Sequence, residues 1–448
     1  MKSRTRLALD DTHMKQHTAP IRLTKYTIGQ LIYLSSMFYI QNNLYTCAAA
    51  CTFSFFFSII PIGMMTLSIL VRIGHAYPEI ITTVVSYLTP VATYVDIDAF
   101  IAHLMQHRLF NWVDIVIAVF IFWMARKLFA TVMQGIRLIF HHGGLARPII
   151  NQLLIFSGEI VFITVAVIII IGLFAFRLFF TLSIFSMIRE RLEWLFSTFS
   201  FTVTNAFSYL LILIFVTLVY KFASGTKPSF KLSFISSLLC TAVFFIVSKL
   251  MGLFLNVANY NLIYGVLGSI MILLLEMYIF FMIFLWGAQL IYVTQFFNTL
   301  LIGELYLLPD YETTDFVGVL RRILFISPDA LMRDGNVIHC TAGTVIYDAT
   351  DNSHDVYYIA DGSVLVRHAM AFSYYERGDF FGELRCLLDG VQEEAAEAVT
   401  DSVLLRISAD TFRSLIEKNP NTAEKALSLL SAYARKAYHS KVQKSGKL

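Results

Sequence analysis

The sequence predicts an all-α polytopic membrane domain of about six transmembrane helices, followed by a soluble α+β domain built around a small β-barrel. Three observations carry this. The chain is 57% hydrophobic and 15% charged, with a mean hydropathy of +0.68, against about 45–50% and about 25% in ordinary globular domains. Residues 44–310 run nearly uncharged over long stretches. From residue 315 the pattern changes to short alternating segments separated by Gly, Asp and Asn, which is the signature of strands and turns.

A helix needs about 20 apolar residues to cross the hydrocarbon. Residues 44–71 hold no charge and read as the first span. Residues 109–136 are interrupted by Asp114, Arg126 and Lys127; 148–176 hold only Glu159; 196–219 hold none; 232–255 hold only Lys249; 266–294 hold only Glu276. Cationic residues concentrate in the N-terminal segment (Lys2, Arg4, Arg6, Lys15, Arg22, Lys25), around Arg126–Arg147, and at Lys221, Lys227 and Lys231. The positive-inside rule then places both ends in the cytosol. Residues 28–43 are apolar but short and are expected to form an interfacial helix. Residues 73–108 are expected to lie at the outer interface. The first 27 residues lack the apolar core of a cleavable signal, so the chain is expected to keep its N-terminus.

The resulting division is a cytosolic N-terminal segment (1–43), a membrane domain (44–300), a linker (301–314), a soluble domain (315–441) and a disordered tail (442–448). Five scattered cysteines and a net charge of +3 point to no disulfide framework, no metal site and no nucleic-acid partner. Cys47 and Cys51, one helical turn apart, read as packing residues. No cofactor is expected.

Charged groups at bilayer depth are costly and are functional candidates by default. Glu159 lies about 16 Å along its span and Glu276 about 15 Å from the outer end of the last, both near the midplane; Lys249 lies about 9 Å from the outer end of its own span. Lys249 is within reach of Glu276. Two readings stand: an ion pair that fixes the register of two helices, or part of a polar path or headgroup cavity.

Several patterns in the membrane half, taken in order, resemble a known family. They are Cys47-Ala48-Ala49-Ala50 through Phe55-Phe56-Phe57-Ser58-Ile59-Ile60-Pro61, then Tyr220-Lys221 with Lys227-Pro228, then Tyr264-Gly265-Val266-Leu267-Gly268-Ser269, and Trp286-Gly287-Ala288-Gln289-Leu290. Together they resemble the YihY/BrkB family of bacterial inner-membrane proteins, over residues 28–300. That family once carried the label ribonuclease BN. A nuclease needs carboxylate or histidine clusters, or an acid–base pair, open to solvent. The membrane half offers His141-His142 and two isolated glutamates, so no catalytic residue is assigned and nuclease activity is not expected.

The soluble half reads as a helix over Asp315–Ile326, strands near Asn336–Cys340, Gly343–Ile346, Val356–Ile359, Ser363–His368, Met370–Tyr375 and Val403–Ile407, then helices over Ser408–Lys418 and Pro420–Lys441. Gly343-Thr344-Val345-Ile346, the run Val356–Val364, and Arg377-Gly378-Asp379-Phe380-Phe381-Gly382-Glu383-Leu384 resemble the cyclic nucleotide-binding domain, a jelly-roll barrel. The resemblance implies that Gly382 and Glu383 approach a ligand, with the glutamate accepting from a ribose hydroxyl. It also implies an arginine before a pair of small residues, which would neutralise the cyclic phosphate. Aligning that pair with Ala395-Ala396 puts Glu394 at the arginine position, with Glu397 adding negative charge nearby. A carboxylate there turns attraction into repulsion and removes a bidentate donor. The expectation is a retained fold that has lost cyclic AMP and cyclic GMP.

Function is accordingly expected to be transport or lipid handling with a cytosolic regulatory domain, in a family for which transport is proposed rather than established. The alternative is a non-transporting sensor or scaffold whose tail binds a partner or another ligand. Membrane lipids, and a homodimer or protein partner through the C-terminal domain, are the partners this reading implies.

Overall fold

The computed structural model describes residues 25–58, 112–140, 209–210, 212–223, 226, 228–254, 266–308, 316–326, 331–332, 336–348, 351, 353–368, 371–388 and 394–445. The chain divides into two compact units: Ser35–Tyr292, and Val293–Leu448 together with the residues up to Leu34.

In the first unit the described helices are α1 (Lys25–Gln41), which begins in the other unit, α2 (Leu44–Ser58), α3 (Trp112–Phe140), α4 (Ile212–Ala223), α5 (Phe230–Phe254) and α6 (Val266–Gln295). Among the described residues, α5 and α6 are long and apolar enough to cross a membrane, and they coincide with the fifth and sixth expected spans. α2 and α3 fall on the first and second, and α4 on the end of the fourth. The expected third span with Glu159, the outer connection 73–108 and His141-His142 lie outside the described residues.

The sidedness of α5 identifies its solvent. Its buried residues are mostly small and polar: Ser233, Ser236, Ser237, Cys240 and Thr241, with Phe244. Its exposed residues include Ile235, Leu238, Leu239, Phe245 and Ile246. Water would reverse this arrangement, whereas hydrocarbon rewards it: apolar side chains face lipid and small polar ones allow close helix contact. Two bonds to main-chain carbonyls tie neighbours to α6. The Tyr220 hydroxyl donates to the Phe284 carbonyl at 2.7 Å, and Ser236 Oγ to the Gly287 carbonyl at 2.9 Å. Gly287 is required by this approach, since a Cβ there would lie 2.5 Å from the Tyr220 hydroxyl. Leu44, Ala48, Cys51, Ile136, Leu285 and Ala288 belong to the core that closes around them. The cysteines 47 and 51 are free thiols.

The second unit adds α7 (Phe297–Tyr306), α8 (Phe316–Phe325), strands β1 (Val337–Cys340), β2 (Val345–Tyr347), β3 (Val356–Asp361), β4 (Ser363–His368), β5 (Ala371–Glu376) and β6 (Phe380–Phe381), the short α9 (Glu383–Leu387), β7 (Ala395–Ala398), β8 (Ser402–Ile407), α10 (Ala409–Lys418) and α11 (Pro420–Ser445). The strands form two four-stranded antiparallel sheets, ordered β1-β8-β3-β6 and β2-β7-β4-β5. Their inner faces share a core of Tyr347, Tyr357, Ile359, Val364, Val366, Phe381, Ala396 and Leu404. Ser408 caps α10 by accepting from the Thr411 amide, which fixes where the last strand gives way to helix.

The expected linker 301–314 begins inside α7. Leu301–Tyr306 are helical and buried, because α7 carries its own docking groups. Glu304 pairs with Arg321 of α8 at 2.6 Å. Tyr306 meets Phe380 and Phe412 edge-on, with ring centroids 5.2 and 5.3 Å away. Lys425 of α11 donates to the Tyr306 carbonyl at 2.6 Å.

Candidate functional site: the nucleotide cassette

The cassette is the turn from β5 through β6 into α9. Gly378 and Gly382 both have positive φ, +99° and +85°, a conformation that an L side chain adopts only under strain. Gly382 lies where β6 turns into α9, and a Cβ on it would approach the Asp355 carbonyl to 3.0 Å. Strand alternation splits the two phenylalanines. Phe381 points into the barrel and stacks on Tyr357 (5.2 Å), with Tyr347 beyond it (6.1 Å). Phe380 points outward, to Tyr306 and Tyr358.

Glu394 is 2% exposed. It precedes β7, and its carboxylate accepts from the Tyr347 hydroxyl at 2.7 Å. His368 Nδ1 lies 4.0 Å from its other oxygen. The buried Arg385 guanidinium sits over the Tyr347 ring, 4.4 Å from its centroid, and donates to the Asp351 carbonyl. Burial, reinforced by the Glu394 carboxylate, pushes the Tyr347 phenol well above its ordinary range, so it stays a donor. These contacts link a carboxylate, a phenol and a guanidinium of the protein itself at the cassette. One Glu394 oxygen is bonded to Tyr347 and the other is buried without a hydrogen-bond donor, so a carboxylate rather than a guanidinium occupies this position.

Glu383, at the start of α9, is 5% exposed. Burial pushes its carboxyl up to about 8; the Lys425 ammonium opposes this, while Glu394 and Asp379 add to it. A cavity of about 290 Å³ lies beside it, lined by Leu305, Arg322, Tyr375, Asp379, Lys425 and Leu429 among others. Ala395 opens β7 opposite Arg367 of β4.

Glu397, expected to add negative charge nearby, meets a cationic partner. It alternates outward from Ala396 and Ala398 and pairs with Arg367 on the surface at 2.6 Å. Tyr347, His368 and Lys425 were missed by sequence reasoning. Tyr347 was accessible to it, as the inward position of a short strand. Lys425 was not, because its place depends on how α11 lies on the barrel.

In the membrane half, the proposed Lys249–Glu276 pair is replaced by another contact. Ser248 Oγ donates to Glu276 Oε1 at 2.8 Å. Lys249 is exposed and lies over the Phe245 ring at 5.8 Å. Adjacent helical residues point about 100° apart, so when Ser248 faces α6 its neighbour cannot. Glu159 lies outside the described residues.

A family model described as Virulence factor BrkB matches residues 38–298, more than half of the chain, and one for the Cyclic nucleotide-binding domain matches residues 337–419. No curated protein matches the chain. Among solved structures, the Catabolite Activator Protein of Thermus thermophilus is 25% identical over 24% of this chain and 54% of its own, with a TM-score of 0.22. The sensor domain of the transcriptional regulator DNR from Pseudomonas aeruginosa is 19% identical over 23% of this chain and 73% of its own, at 0.21. A structure titled for a cyclic-GMP-dependent signalling pathway that regulates bacterial phytopathogenesis is 21% identical over 24% and 89%, also at 0.21. The chain therefore belongs to the BrkB family, as a membrane protein of that family carrying a cyclic nucleotide-binding-like domain at its C-terminal end.

Proposed function

We propose that this protein is a six-span inner-membrane protein, with both ends in the cytosol, that handles a lipid or transports a solute under control of its C-terminal domain. That domain keeps the cyclic nucleotide-binding fold and has lost the nucleotide. The observation that carries the regulatory half is the bond from Tyr347 to Glu394. A cyclic phosphate would have to displace a buried hydrogen bond and then face the Glu394 carboxylate, while the cassette's guanidinium, Arg385, is held over Tyr347 and bonded to the Asp351 carbonyl. Close like charges in a desolvated site oppose binding by several kcal/mol.

Support for the membrane half comes from the apolar outer face of α5 and from Glu276, held near the middle of α6 by Ser248. No catalytic role is assigned to either. A reconstituted flux assay in proteoliposomes tests the reading. Glu276→Gln and Glu159→Gln should each lower flux at least several-fold, and the cassette variant Glu394→Ala should change flux without abolishing it. Unchanged flux in both glutamine variants would remove the transport reading. The Ser248–Glu276 bond also suits the second reading, a non-transporting sensor in which Glu276 only fixes helix register. That reading predicts normal activity in Glu276→Gln and loss of activity when the tail is disrupted.

A further inference from the structure

Two helices in the second unit leave aliphatic surface uncovered. On α1, Ile28 and Ile32 are 47% and 49% exposed; on α8, Val319, Leu320 and Ile323 are 44%, 41% and 62% exposed. The spacings 28/32 and 319/323 put each pair on one helix face. The helices adjoin. Gln30 Nε2 donates to the Leu324 carbonyl at 2.7 Å, the Tyr33 and Phe325 rings meet edge-on at 5.5 Å, and a Cβ added at Gly29 would lie 3.4 Å from the Leu324 side chain. Exposed aliphatic groups gathered on adjoining helices mark a contact surface rather than scattered chance exposure.

Chain connectivity indicates what covers them. α6 has 30 residues, about 45 Å at 1.5 Å per residue, close to the full thickness of a bilayer with its headgroups. Only Phe296 separates it from α7. Glu304 of α7 then pairs with Arg321 of α8, so α8 is tied roughly 15 Å along the chain from the end of a bilayer-crossing helix. That tether keeps an amphipathic helix within reach of the interfacial zone, where such helices bury their apolar face. We propose that the α1–α8 face is a membrane-docking surface, seated at the boundary between headgroups and acyl chains. It holds the cyclic nucleotide-binding-like domain against the bilayer.

The test places p-benzoylphenylalanine, one site at a time, at Ile32, Ile323 and Leu427 of the full chain. Leu427 of α11 is 64% exposed and is not on this face. The chain is reconstituted in nanodiscs of phosphatidylethanolamine and phosphatidylglycerol, irradiated, and read by mass spectrometry. The expected result is phospholipid adduct at Ile32 and Ile323, at least tenfold above that at Leu427. Adding Ile28→Glu and Leu320→Glu should lower the Ile323 adduct at least fivefold. Equal adduct at all three sites, no adduct at Ile323, or adducts there to a second copy or another polypeptide would overturn the proposal. Because the readout is lipid proximity and not flux, its failure would leave the transport reading standing.

Discussion

The hydroxyl of Tyr347 and the carboxylate of Glu394 meet at 2.7 Å inside the C-terminal barrel, both buried. In the proposed reading, this pair puts an internal bond where the cyclic nucleotide-binding domain would place a phosphate-binding arginine. Removing either side therefore costs stability rather than restoring a ligand site. Tyr347→Phe should destabilise the domain by about 1–3 kcal/mol, the cost of leaving a buried polar group without its partner. Glu394→Gln, which still accepts, should cost less. Denaturant unfolding followed by a probe in the domain separates the two, and equal effects would place the carboxylate charge, not the bond, at the centre.

Glu383 gives a pH signature. Its carboxyl is pushed from 4.5 up to about 8 by burial, so in that window the folded state holds a proton that the unfolded state has released. Stability then falls as pH rises. This contribution is fully present below about pH 4.5 and is lost progressively up to about pH 8. At about 1.4 kcal/mol per unit, it amounts to a few kcal/mol at most. Thermal unfolding of Glu383→Gln at pH 5 and pH 8 should show a smaller loss between the two than wild type does, and a variant more stable than wild type at pH 8. An identical slope would place Glu383 in contact with water.

The ion pair between Glu304 and Arg321 is lopsided, with side chains 4% and 21% exposed. Burial raises the Glu304 carboxyl and Arg321 lowers it. Arg321→Ala leaves a buried carboxyl without its partner and should cost about 3–5 kcal/mol. Glu304→Gln with Arg321→Met should recover most of that loss, as measured in a double-mutant cycle of chemical denaturation. A single-variant cost below about 1 kcal/mol would mean the pair behaves as a surface bridge.

In the helical unit, Gly287→Ala places a methyl where the Tyr220 hydroxyl sits. The hydroxyl must leave the Phe284 carbonyl, and overpacking adds about 1–3 kcal/mol. Tyr220→Phe in the same chain should relieve part of the strain. Thermal unfolding in detergent checks this; a rescue larger than the original loss would show that the hydroxyl bond contributes nothing.

How far the sequence could be read depended on the kind of information involved. Two of the expected spans were legible because hydrocarbon imposes one rule along a whole helix, and α5 and α6 fall where that rule put them. The jelly-roll was legible because β4 and β8 show partial alternation of buried and less buried residues and β3 is a short apolar run bounded by turn residues. β7 was not: Ala395-Ala396-Glu397-Ala398 has poor strand propensity and is held by pairing to β2 and β4, a tertiary override of local preference. The same alternation settled Glu397, which depended on a register that the spacing alone did not fix. Lys249 and Glu276 looked like a pair because one-dimensional depth brings them together. The rotation of the helix, which depth does not encode, gave the bond to Ser248.

The most direct measurement is isothermal titration of the full chain in detergent with cyclic AMP and cyclic GMP. The Tyr347–Glu394 arrangement predicts no saturable heat for either nucleotide up to millimolar concentration. Saturable binding in the micromolar range would contradict it, because a cassette that accepts a cyclic phosphate against Glu394 is not the one described here.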